Sequence, residues 1–443
     1  MPSAVSPAAR RSGDHTERID RFIVHRGQPL SGTVRAGGAK NSALKLMAAC
    51  LLAPGRHVLE GVPRIADVEI MAEMLGALGA SVRREADRPD GGPGDLVVDS
   101  PSCPLPEAPY ELVQRMRASI VVLGPLLARC GEVALSMPGG DDFGQRPIDM
   151  HLSGLEAMGA GFATTHGTVM GRVAAGEPLV GARIVLEYPS HTVTDNLLMA
   201  ATLAKGTTVI ENAAREPEVK DLADCLRAMG AHIRGAGTSH IEVEGVGELQ
   251  PARHRVIADR VVAATFLAAV GIAGGDVVVE DARPEHMDML LRKLGDMGVS
   301  LERTVDGLRA VSRGRLRSVD VATLPYPGVA TDYKPFLVTM LSVADGVGIV
   351  TENLFQGRFR YVDELVRLGA DIRTEGHHAV VRGVAYLSGA PVRATDLRAG
   401  AALVLAGLAA EGETVVTDAH HVDRGYDDLA GKLARLGADV VRG

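Results

Sequence analysis

The chain repeats one structural unit six times, and this repetition limits the folds that it can adopt. Each copy starts with a glycine and a short β-branched strand, followed by a polar loop and a helix with apolar residues three and four apart. An L/M-G-A/V signal closes the helix, and its glycine is predicted to be the C-terminal cap. The copies begin at Gly55, Gly131, Gly206, Gly275, Gly346 and Gly412.

A second apolar helix precedes each copy, as in NSALKLMAACLLA from Asn41 and DLRAGAALVLAGLAA from Asp396. One complete unit therefore has two helices and several strands in roughly 70 to 80 residues. Six such units exceed one hydrophobic core, which predicts an α/β protein with two domains of three units each. A solenoid would show regular spacing and polar terminal copies, and this chain shows neither.

Composition predicts a globular protein of a reducing compartment. The 443 residues are 46% hydrophobic and 23% charged, and the net charge of −8 argues against nucleic-acid binding. The four cysteines are scattered, which predicts no metal site, no disulfide framework and a cytoplasmic location. Residues 1–17 are expected to form a disordered tail. The apolar run from Val261 is too short to cross a membrane and predicts a buried helix.

The polar loops differ between the copies, whereas the strands and helices around them do not. Sites are usually built on loops held by a rigid frame. Basic side chains in these loops stand directly before helix starts, where the helix N–H groups add to the attraction for anions. The charged and polar residues of these loops are Lys40, Arg115, Arg117, Asp332, Lys334, Gln356, Arg358, Arg360, Asp396, Arg398 and Arg424.

The chain has no GxxxxGK[ST] loop and no strand-linked GxGxxG motif, which disfavours the common ATP and dinucleotide sites. Converging arginines would suit a substrate that carries both phosphate and carboxylate. The residues alone therefore predict a two-domain α/β enzyme that binds an anionic substrate in the cleft between its domains.

Six motifs resemble the signatures of one enzyme family. They are GAKN from Gly38, MRAS from Met116, PGGDDFGQRPIDMH from Pro138, ENAAREPEV from Glu211, TDLRAG from Thr395 and HHVDRGY from His420. From about Ile19 to Gly443 the chain resembles the UDP-N-acetylglucosamine enolpyruvyl transferases (1-carboxyvinyltransferases), in a variant with aspartate in place of the lid cysteine.

The resemblance implies a two-domain inside-out α/β barrel built from six βαβαββ repeats, the enolpyruvyl transferase fold. One domain would hold residues 18–38 and 258–443 with both chain termini, and the other would hold residues 39–257 with the catalytic lid loop. The chain is expected to cross between the domains near Gly38 and near Ala258.

The resemblance also implies a reaction. The enolpyruvyl group of phosphoenolpyruvate would pass to the 3-hydroxyl of UDP-N-acetylglucosamine by addition and elimination, with release of phosphate, as the first committed step of peptidoglycan synthesis. Both substrates are small molecules, and neither a cofactor, a nucleic acid nor a membrane is implied. Such chemistry needs a base for the hydroxyl, an acid for the methylene carbon and cations around the phosphate and carboxylate.

The catalytic residues that the resemblance implies are Lys40, Asp141, Asp332 and Arg424. Lys40 and Arg424 would bind phosphoenolpyruvate, and Asp332 would be the base at the 3-hydroxyl. Asp141 would donate a proton once closure of the lid has raised its pKa. The substrate-binding residues implied are Asn41, Arg117, Arg146, Pro147, Ile148, Asp149, Met150, Ser190, His191, Thr192, Leu354, Arg358, Asp396 and Arg398.

The lid residue Asp141 stands where most members of the family have a cysteine. A carboxylic acid cannot form the thioether that the cysteine forms with phosphoenolpyruvate or with the epoxide antibiotic fosfomycin. The resemblance therefore predicts an enzyme that is insensitive to fosfomycin. Gly139, Gly140 and Gly144 are expected to give the lid its flexibility.

Several positions near the acceptor depart from the family pattern. In PSHTVT, His191 and Thr192 replace a small Val-Gly pair beside the nucleotide, and VATD replaces FPTD before the base. Ala66 and Gln356 replace residues that are usually basic and acidic, respectively. Groups added beside a nucleotide can change which nucleotide fits. A paralogous enolpyruvyl transferase that acts on another nucleotide acceptor in secondary metabolism is therefore the alternative.

Other users of the fold match the residues less well. The RPIDMH run argues against an enolpyruvyl-shikimate-phosphate synthase, and no residue marks the nucleophilic histidine of an RNA terminal-phosphate cyclase. A non-catalytic binding protein should have lost Lys40, Asp332 or Arg424, and all three are present.

Overall fold

The computed structural model describes residues 20–88, 92–139, 147–355 and 357–443. Its buried apolar side chains form two clusters, one from residues 22–36 and 261–440 and the other from residues 39–256. We call residues 20–38 and 258–443 the terminal lobe, and residues 39–257 the inserted lobe. The predicted tail, Asp141, Arg146 and Gln356 lie outside the described residues.

The strands are short, and most of them alternate buried and partly exposed residues, as strands with one face on a core do. In chain order they are β1 (Arg21–His25), β2 (Leu30–Arg35), β3 (Gly55–Glu60), β4 (Ser81–Arg84), β5 (Leu96–Ser100), β6 (Glu132–Ser136), β7 (Ala160–Thr165), β8 (Thr168–Val173), β9 (Arg183–Val185), β10 (Thr207–Glu211), β11 (His232–Arg234), β12 (His240–Glu244), β13 (Arg253–Arg255), β14 (Gly275–Glu280), β15 (Ser300–Arg303), β16 (Gly307–Ser312), β17 (Val321–Ala322), β18 (Val347–Thr351), β19 (Asp371–Glu375), β20 (His378–Arg382), β21 (Leu387–Ser388), β22 (Pro391–Arg393), β23 (Ala410–Glu411), β24 (Glu413–Thr417) and β25 (Asp439–Arg442).

The helices fall into two groups, apolar ones that are buried and amphipathic ones that cover a core from outside. In chain order they are α1 (Lys40–Ala49), α2 (Ala66–Ala77), α3 (Tyr110–Arg115), α4 (Leu123–Cys130), α5 (Asp149–Ala157), α6 (His191–Ala201), α7 (Pro217–Ala228), α8 (Arg260–Ala273), α9 (Asp288–Met297), α10 (Lys334–Val343), α11 (Val362–Arg367), α12 (Leu397–Gly407), α13 (His420–Asp423) and α14 (Leu429–Arg435). Short 3₁₀ helices span Cys50–Leu52, Arg117–Val122, Pro284–His286 and Thr331–Tyr333.

The described residues form seven sheets, of which β21-β23 is a short parallel pair. The other six correspond to the six copies and share one pattern, in which a parallel edge strand is followed by two antiparallel pairings. The sheet orders are β13-β3-β5-β4, β9-β10-β12-β11, β2-β14-β16-β15, β17-β18-β20-β19, β22-β24-β1-β25 and β6-β8-β7. In the last sheet the parallel neighbour is reduced to a bridge between Glu107 and Ala134. Strands β1 and β2 complete sheets of the terminal lobe, so both ends of the chain build that lobe.

The layers are inverted relative to a common α/β protein, with helices inside and sheets outside. The three helices α8, α10 and α12 pack against one another at the centre of the terminal lobe, and every residue of α12 is buried. A helix that is apolar all round must be buried in this way. Helix α8 confirms the buried helix predicted from Val261. Within the described residues no helix is long and apolar enough to cross a membrane.

The predicted glycine caps are confirmed in all six copies. Each of these glycines follows a helix and has a left-handed φ, a conformation that glycine adopts without a steric penalty. They are Gly79 (95°), Gly159 (97°), Gly230 (106°), Gly298 (106°), Gly369 (88°) and Gly437 (97°).

The two segments that connect the lobes pair with each other. Gly38 and Ala258 form an isolated antiparallel bridge, and the backbone N–H of Ala39 donates to the carbonyl oxygen of Ile257 at 2.7 Å. A Cβ atom on Gly38 would lie 2.1 Å from the carbonyl oxygen of Gly61. Only glycine therefore fits where this segment passes the turn that follows β3.

The carboxylate of Asp259 caps two helices at this junction. Its Oδ1 accepts from the backbone N–H groups of Val261 (2.7 Å) and Val262 (2.9 Å) at the start of α8. Its Oδ2 accepts from the backbone N–H of Lys40 at 3.0 Å, at the start of α1. One side chain thus satisfies unpaired N–H groups of both helices and fixes the backbone of Lys40 between the lobes.

A buried amide joins the helices of the inserted lobe. Asn196 in α6 accepts from the backbone N–H of Gly124 at 2.9 Å and donates to the carbonyl oxygen of Ile120 at 2.8 Å. These two bonds fix the orientation of its amide, so the NH₂ group also donates to Nδ1 of His151 at 2.9 Å. The imidazole of His151 in α5 is therefore neutral, with its proton on Nε2.

We expect His151 to make the protein less stable at acidic pH. Burial, with a smaller effect of the Arg117 charge, lowers the pKa of His151 from 6.5 to about 3. Below pH 6.5 His151 is protonated in the unfolded chain but stays neutral in the folded chain. The free energy of unfolding therefore falls as pH falls, by at most about 1.4 kcal/mol per pH unit. Urea unfolding of His151→Gln, which keeps an acceptor for Asn196, should show a smaller loss between pH 6.5 and 5 than the wild type shows.

The exposed residue His240 provides the control, since His240→Gln removes a histidine without touching this network. Its unfolding should depend on pH as that of the wild type does. Equal pH dependence of His151→Gln and the wild type would contradict the neutral, buried imidazole.

Candidate functional site

The carboxylate of Asp332 lies between two arginines in the terminal lobe. Asp332 stands in the 3₁₀ turn that precedes α10. Its Oδ1 accepts from Nη1 of Arg358 at 2.8 Å, and its Oδ2 accepts from Nε of Arg398 at 3.3 Å. The arginine side chains are 4% and 2% exposed, whereas that of Asp332 is 27% exposed. The structure thus brings three predicted site residues together, with the carboxylate as the accessible one.

The two arginines keep Asp332 ionised. Burial alone would raise its pKa, but the charges of Arg358 and Arg398 outweigh burial and hold the pKa of Asp332 well below its usual range. A carboxylate in this state can accept a proton at neutral pH. Its proton affinity is low, however, so proton transfer must accompany formation of a new bond to the attacking oxygen.

A buried ion pair supports this carboxylate from behind. Oε2 of Glu352 lies 2.9 Å from Nζ of Lys334, and both side chains are fully buried. The same carboxylate accepts from the hydroxyl of Thr331 and from the backbone N–H of Leu354. Thr331 in turn accepts from Arg358 at 3.0 Å. The predicted residue Leu354 thus belongs to the loop that positions Arg358, while sequence reasoning missed Glu352.

Asp396 has a structural contact in addition to its predicted place in the cleft. Its Oδ1 accepts from the backbone N–H groups of Arg398 (2.9 Å) and Ala399 (3.0 Å), which makes it the N-cap of α12. The guanidinium of Arg398 lies 5.3 Å from the centroid of the Tyr426 ring. The cap and the ring together fix the arginine that binds Asp332.

A second cluster joins the two lobes. The buried carboxylate of Asp67, in the first turn of α2, lies 2.7 Å from Nζ of Lys40 and accepts from Nε of Arg424 at 2.9 Å. Lys40 belongs to the inserted lobe and Arg424 to the terminal lobe. The structure therefore brings together two residues predicted to bind phosphoenolpyruvate, and it adds Asp67, which sequence reasoning missed.

The two clusters adjoin each other. A Cβ atom on Gly425, next to Arg424, would lie 2.7 Å from Leu397 and 3.3 Å from Cδ of Lys40, so the starts of α1 and α12 meet at this glycine. The charge of Arg398 contributes to lowering the pKa of Lys40, after burial and together with Arg424. The Lys40 ammonium group therefore interacts electrostatically with Arg398 of the Asp332 cluster.

A second ion pair between the lobes lies beside Asp332. Oε1 of Glu218 in α7 accepts from Nε of Arg260 in α8 at 2.9 Å, and Arg260 donates to the hydroxyl of Tyr333 at 3.2 Å. Burial would raise the pKa of Glu218, but Arg260 lowers it to about 2. Tyr333 is the neighbour of Asp332, so this pair connects the inserted lobe to the turn that holds the carboxylate.

The predicted residues Ser190, His191 and Thr192 stand at the start of α6. Nδ1 of His191 lies 3.0 Å from Nζ of Lys45, and Lys45 lies 2.6 Å from the carboxylate of Asp195, which is fully buried. An ammonium group can only donate, so Nδ1 is the acceptor and the N–H of the ring is on Nε2. The half-exposed ring of His191 therefore offers a hydrogen-bond donor beside the start of α6.

The predicted nucleotide-binding run begins at α5. Pro147 and Asp149 are exposed, Ile148 is buried and Met150 is half-buried. His151 follows this run and binds α6 through Asn196, so the helix starts that carry the run and the PSHTVT loop belong to packed neighbouring helices.

Arg117 and Asn41 complete the described predicted residues. Arg117 donates to the carbonyl oxygen of Pro138 at 3.1 Å, and its charge lowers the pKa of His151, which locates it near α5. Asn41 is half-buried at the start of α1, one turn before Lys45. The positions of Asp141 and Arg146 lie outside the described residues.

A cavity of about 970 Å³ lies between the lobes at the crossing segments, lined by Gly38, Ala258 and many charged side chains. None of the predicted site residues in the described part of the chain lines it. Several of its arginines are paired, for example Arg35 with Glu280 and Arg303 with Glu285. We therefore assign no catalytic role to the residues that line this cavity.

The chain is similar to known enzymes along nearly all of its length. A family model described as EPSP synthase (3-phosphoshikimate 1-carboxyvinyltransferase) matches residues 24–433. UDP-N-acetylglucosamine 1-carboxyvinyltransferase of Nocardia farcinica is 49% identical over 423 residues, which cover 96% of this chain and 98% of the relative. The enzyme of the same name from Mycobacterium leprae is 49% identical over 424 residues, which cover 96% and 99%.

Solved structures share the fold. The enolpyruvyl transferase NikO from Streptomyces tendae has a TM-score of 0.84 and 27% identity, covering 96% of this chain and 98% of that chain. EPSP synthase from Acinetobacter baumannii has a TM-score of 0.74 at 20% identity, covering 96% and 100%. The predicted fold class and the family resemblance are thereby confirmed. This chain belongs to the enolpyruvyl transferase family, the 1-carboxyvinyltransferases.

Proposed function

We propose that this enzyme transfers the enolpyruvyl group of phosphoenolpyruvate to the 3-hydroxyl of UDP-N-acetylglucosamine, with release of phosphate, as the first committed step of peptidoglycan synthesis. The observation that carries the proposal is that the cations Lys40 and Arg424, at the junction of the lobes, adjoin the cluster of the accessible carboxylate Asp332. Arg398 links the two, since it binds Asp332 and its charge acts on Lys40. The names of the relatives that are 49% identical support this choice of acceptor. Four free cysteines fit the reducing cytoplasm, where we place the reaction.

In the addition step, Asp332 takes the proton of the sugar hydroxyl as its oxygen bonds to C2 of phosphoenolpyruvate. A proton is added to the methylene carbon at the same stage, which gives a methyl group and a tetrahedral phospho-ketal. Lys40 and Arg424 bind the anionic groups and hold C2 near the hydroxyl. We assign the donation of this proton to Asp141 by family resemblance.

In the elimination step, the methyl group gives a proton back to the carboxylate of Asp141, which we assign by the same resemblance, and the C2–O bond to phosphate breaks. The vinyl group is thereby restored, now as an ether of the sugar, and phosphate leaves. The cations that bound the substrate phosphate also stabilise the leaving group. Asp332 passes the proton that it took from the sugar hydroxyl to the departing phosphate, which balances the charges of the products.

The identity of the acceptor needs a direct test, because His191 and Thr192 replace the small Val-Gly pair that the family has beside the nucleotide. Phosphate release from phosphoenolpyruvate should be measured with UDP-N-acetylglucosamine, UMP, UDP and UDP-glucose. We expect release with UDP-N-acetylglucosamine at a turnover of about 1 s⁻¹ or more, within the ordinary enzyme range.

Release with UMP or UDP, and none with the UDP-sugars, would contradict the proposed acceptor and favour a paralogue for another nucleotide. The double variant His191→Val/Thr192→Gly is the matched control, since it restores the small pair. It should keep the acceptor preference of the wild type if the replacement has no part in specificity.

Replacing the proposed base should abolish most turnover without abolishing substrate binding. Asp332→Asn removes the proton acceptor but keeps a group of the same shape between the two arginines. We expect kcat to fall about 10²- to 10⁴-fold, the usual contribution of a general base. Asp363→Asn, which changes an exposed residue of α11, is the control and should turn over normally. A near-normal kcat of Asp332→Asn would assign the base to another residue.

Fosfomycin should not inactivate this enzyme, because Asp141 lacks the thiolate that opens the epoxide. Activity should stay constant during preincubation with the drug, and no mass adduct should form on residues 138–151. The variant Asp141→Cys should become sensitive, with a stoichiometric adduct on Cys at that position. Time-dependent inactivation of the wild type, with an adduct on this segment, would contradict the prediction.

A further inference from the structure

Asp67 is a buried carboxylate that joins two cations from different lobes. Its side chain is 1% exposed, and it stands in the first turn of α2. Its Oδ2 lies 2.7 Å from Nζ of Lys40 and accepts from Nη2 of Arg424 at 3.3 Å, while its Oδ1 accepts from Nε of Arg424 at 2.9 Å. Each carboxylate oxygen thus has a charged partner, and the guanidinium binds in a bidentate manner.

Lys40 is buried near two arginines, and its ammonium group needs the carboxylate of Asp67 to stay charged there. Among the described residues, the charged groups with the largest effect on Lys40 are Asp67 of α2, Arg424 after α13 and Arg398 of α12. Asp259, at the start of α8, accepts the backbone N–H of Lys40. Burial and the two arginines lower the pKa of Lys40, and Asp67 is the group that opposes them. Burial would raise the pKa of Asp67, but Lys40 and Arg424 keep it below its usual range.

We propose that Asp67 is a positioning residue, which holds the Lys40 ammonium and the Arg424 guanidinium side by side and keeps the lysine charged for the phosphoenolpyruvate anion. This inference rests on the proposed function of Lys40 and Arg424 as the substrate cations. Asp67 itself makes no bond to reacting atoms. Because Arg424 comes from the terminal lobe and Asp67 from the inserted lobe, the carboxylate also makes the cation pair depend on the contact between the lobes.

The position predicts a specific effect of removing the charge. Asp67→Asn keeps the size of the side chain but removes the carboxylate charge 2.7 Å from Nζ of Lys40, which stays buried near two arginines. An opposite charge at this distance shifts a pKa by about 1 to 3 units, so the pKa of Lys40 should fall by about one unit or more. The basic limb of the kcat/KM profile for phosphoenolpyruvate should move to lower pH by the same amount. At pH values above the pKa of Lys40 in both enzymes, KM should be higher in the variant by about tenfold for each unit of that shift, because less of the lysine is charged.

The first experiment measures Lys40 itself, without turnover. Competitive labelling with acetic anhydride between pH 6 and 11, followed by peptide mass spectrometry, gives the titration curve of the Lys40 amine in the full-length enzyme. The curve of Asp67→Asn should lie at lower pH than that of the wild type, and the curve of Asp67→Glu, which keeps the charge, should lie closer to the wild type. Identical curves for Asp67→Asn and the wild type would overturn the proposal.

The pair of Glu218 and Arg260 offers a matched control, because it is also a buried ion pair between the lobes. Within the described part of the chain its hydrogen bond to a further side chain goes to Tyr333, not to Lys40. Glu218→Gln tests whether loss of any such pair has the same effect. A merely structural role of Asp67 would make both variants alike in stability and leave the titration curve of Lys40 unmoved in both.

The variant Arg424→Gln tests the same arrangement if Asp67→Asn does not fold. Removal of this like charge should raise the pKa of Lys40. An unchanged or lowered pKa would overturn the proposal.

The outcomes separate this inference from the proposed function. If the wild type releases no phosphate with UDP-N-acetylglucosamine, the acceptor is wrong, while the labelling curves still report on Asp67. If the wild type turns over and the Lys40 curve of Asp67→Asn does not move, the inference fails and the proposed function stands.

Discussion

The close pairing of the two segments that connect the lobes is the constraint on which the site depends. Gly38 and Ala258 form a bridge, and a Cβ atom on Gly38 would strike the carbonyl oxygen of Gly61 in the turn that follows β3. Asp259 then binds the first N–H groups of both α1 and α8. The backbone of Lys40 is therefore fixed at the point where the lobes meet, and the cations and carboxylates of both lobes are arranged around that point.

The charges of the site are held in pairs, which is how a folded protein can bury them. An isolated buried charge would be costly, and a paired one is tolerated only with good geometry and satisfied hydrogen bonds. Asp332 lies between Arg358 and Arg398, and Asp67 lies between Lys40 and Arg424. These groups are desolvated and oriented by their partners, so an anionic substrate meets cations that need little reorganisation.

Sequence reasoning predicted much of this arrangement, for physical reasons that can be named. Repeated glycines after amphipathic helices predicted six equivalent units, because only glycine ends a helix easily with a left-handed residue. Basic loop residues before helix starts predicted an anion site, and Lys40, Arg398 and Arg424 do converge. Asp67 was not predicted because an acidic residue is common in the first turn of a helix, where it stabilises the helix through its dipole. Glu352 was not predicted because its side-chain partners Thr323, Thr331 and Lys334 lie far from it in sequence, which no local pattern reveals.

The most direct test of the account is a crystal structure of the enzyme with phosphoenolpyruvate and UDP-N-acetylglucosamine. We predict anionic oxygens of phosphoenolpyruvate within about 3 Å of Nζ of Lys40 and of the Arg424 guanidinium, and the sugar 3-hydroxyl within about 3 Å of the Asp332 carboxylate, as hydrogen bonding requires. Phosphoenolpyruvate bound away from Lys40 and Arg424, or a sugar whose 3-hydroxyl points away from Asp332, would contradict it.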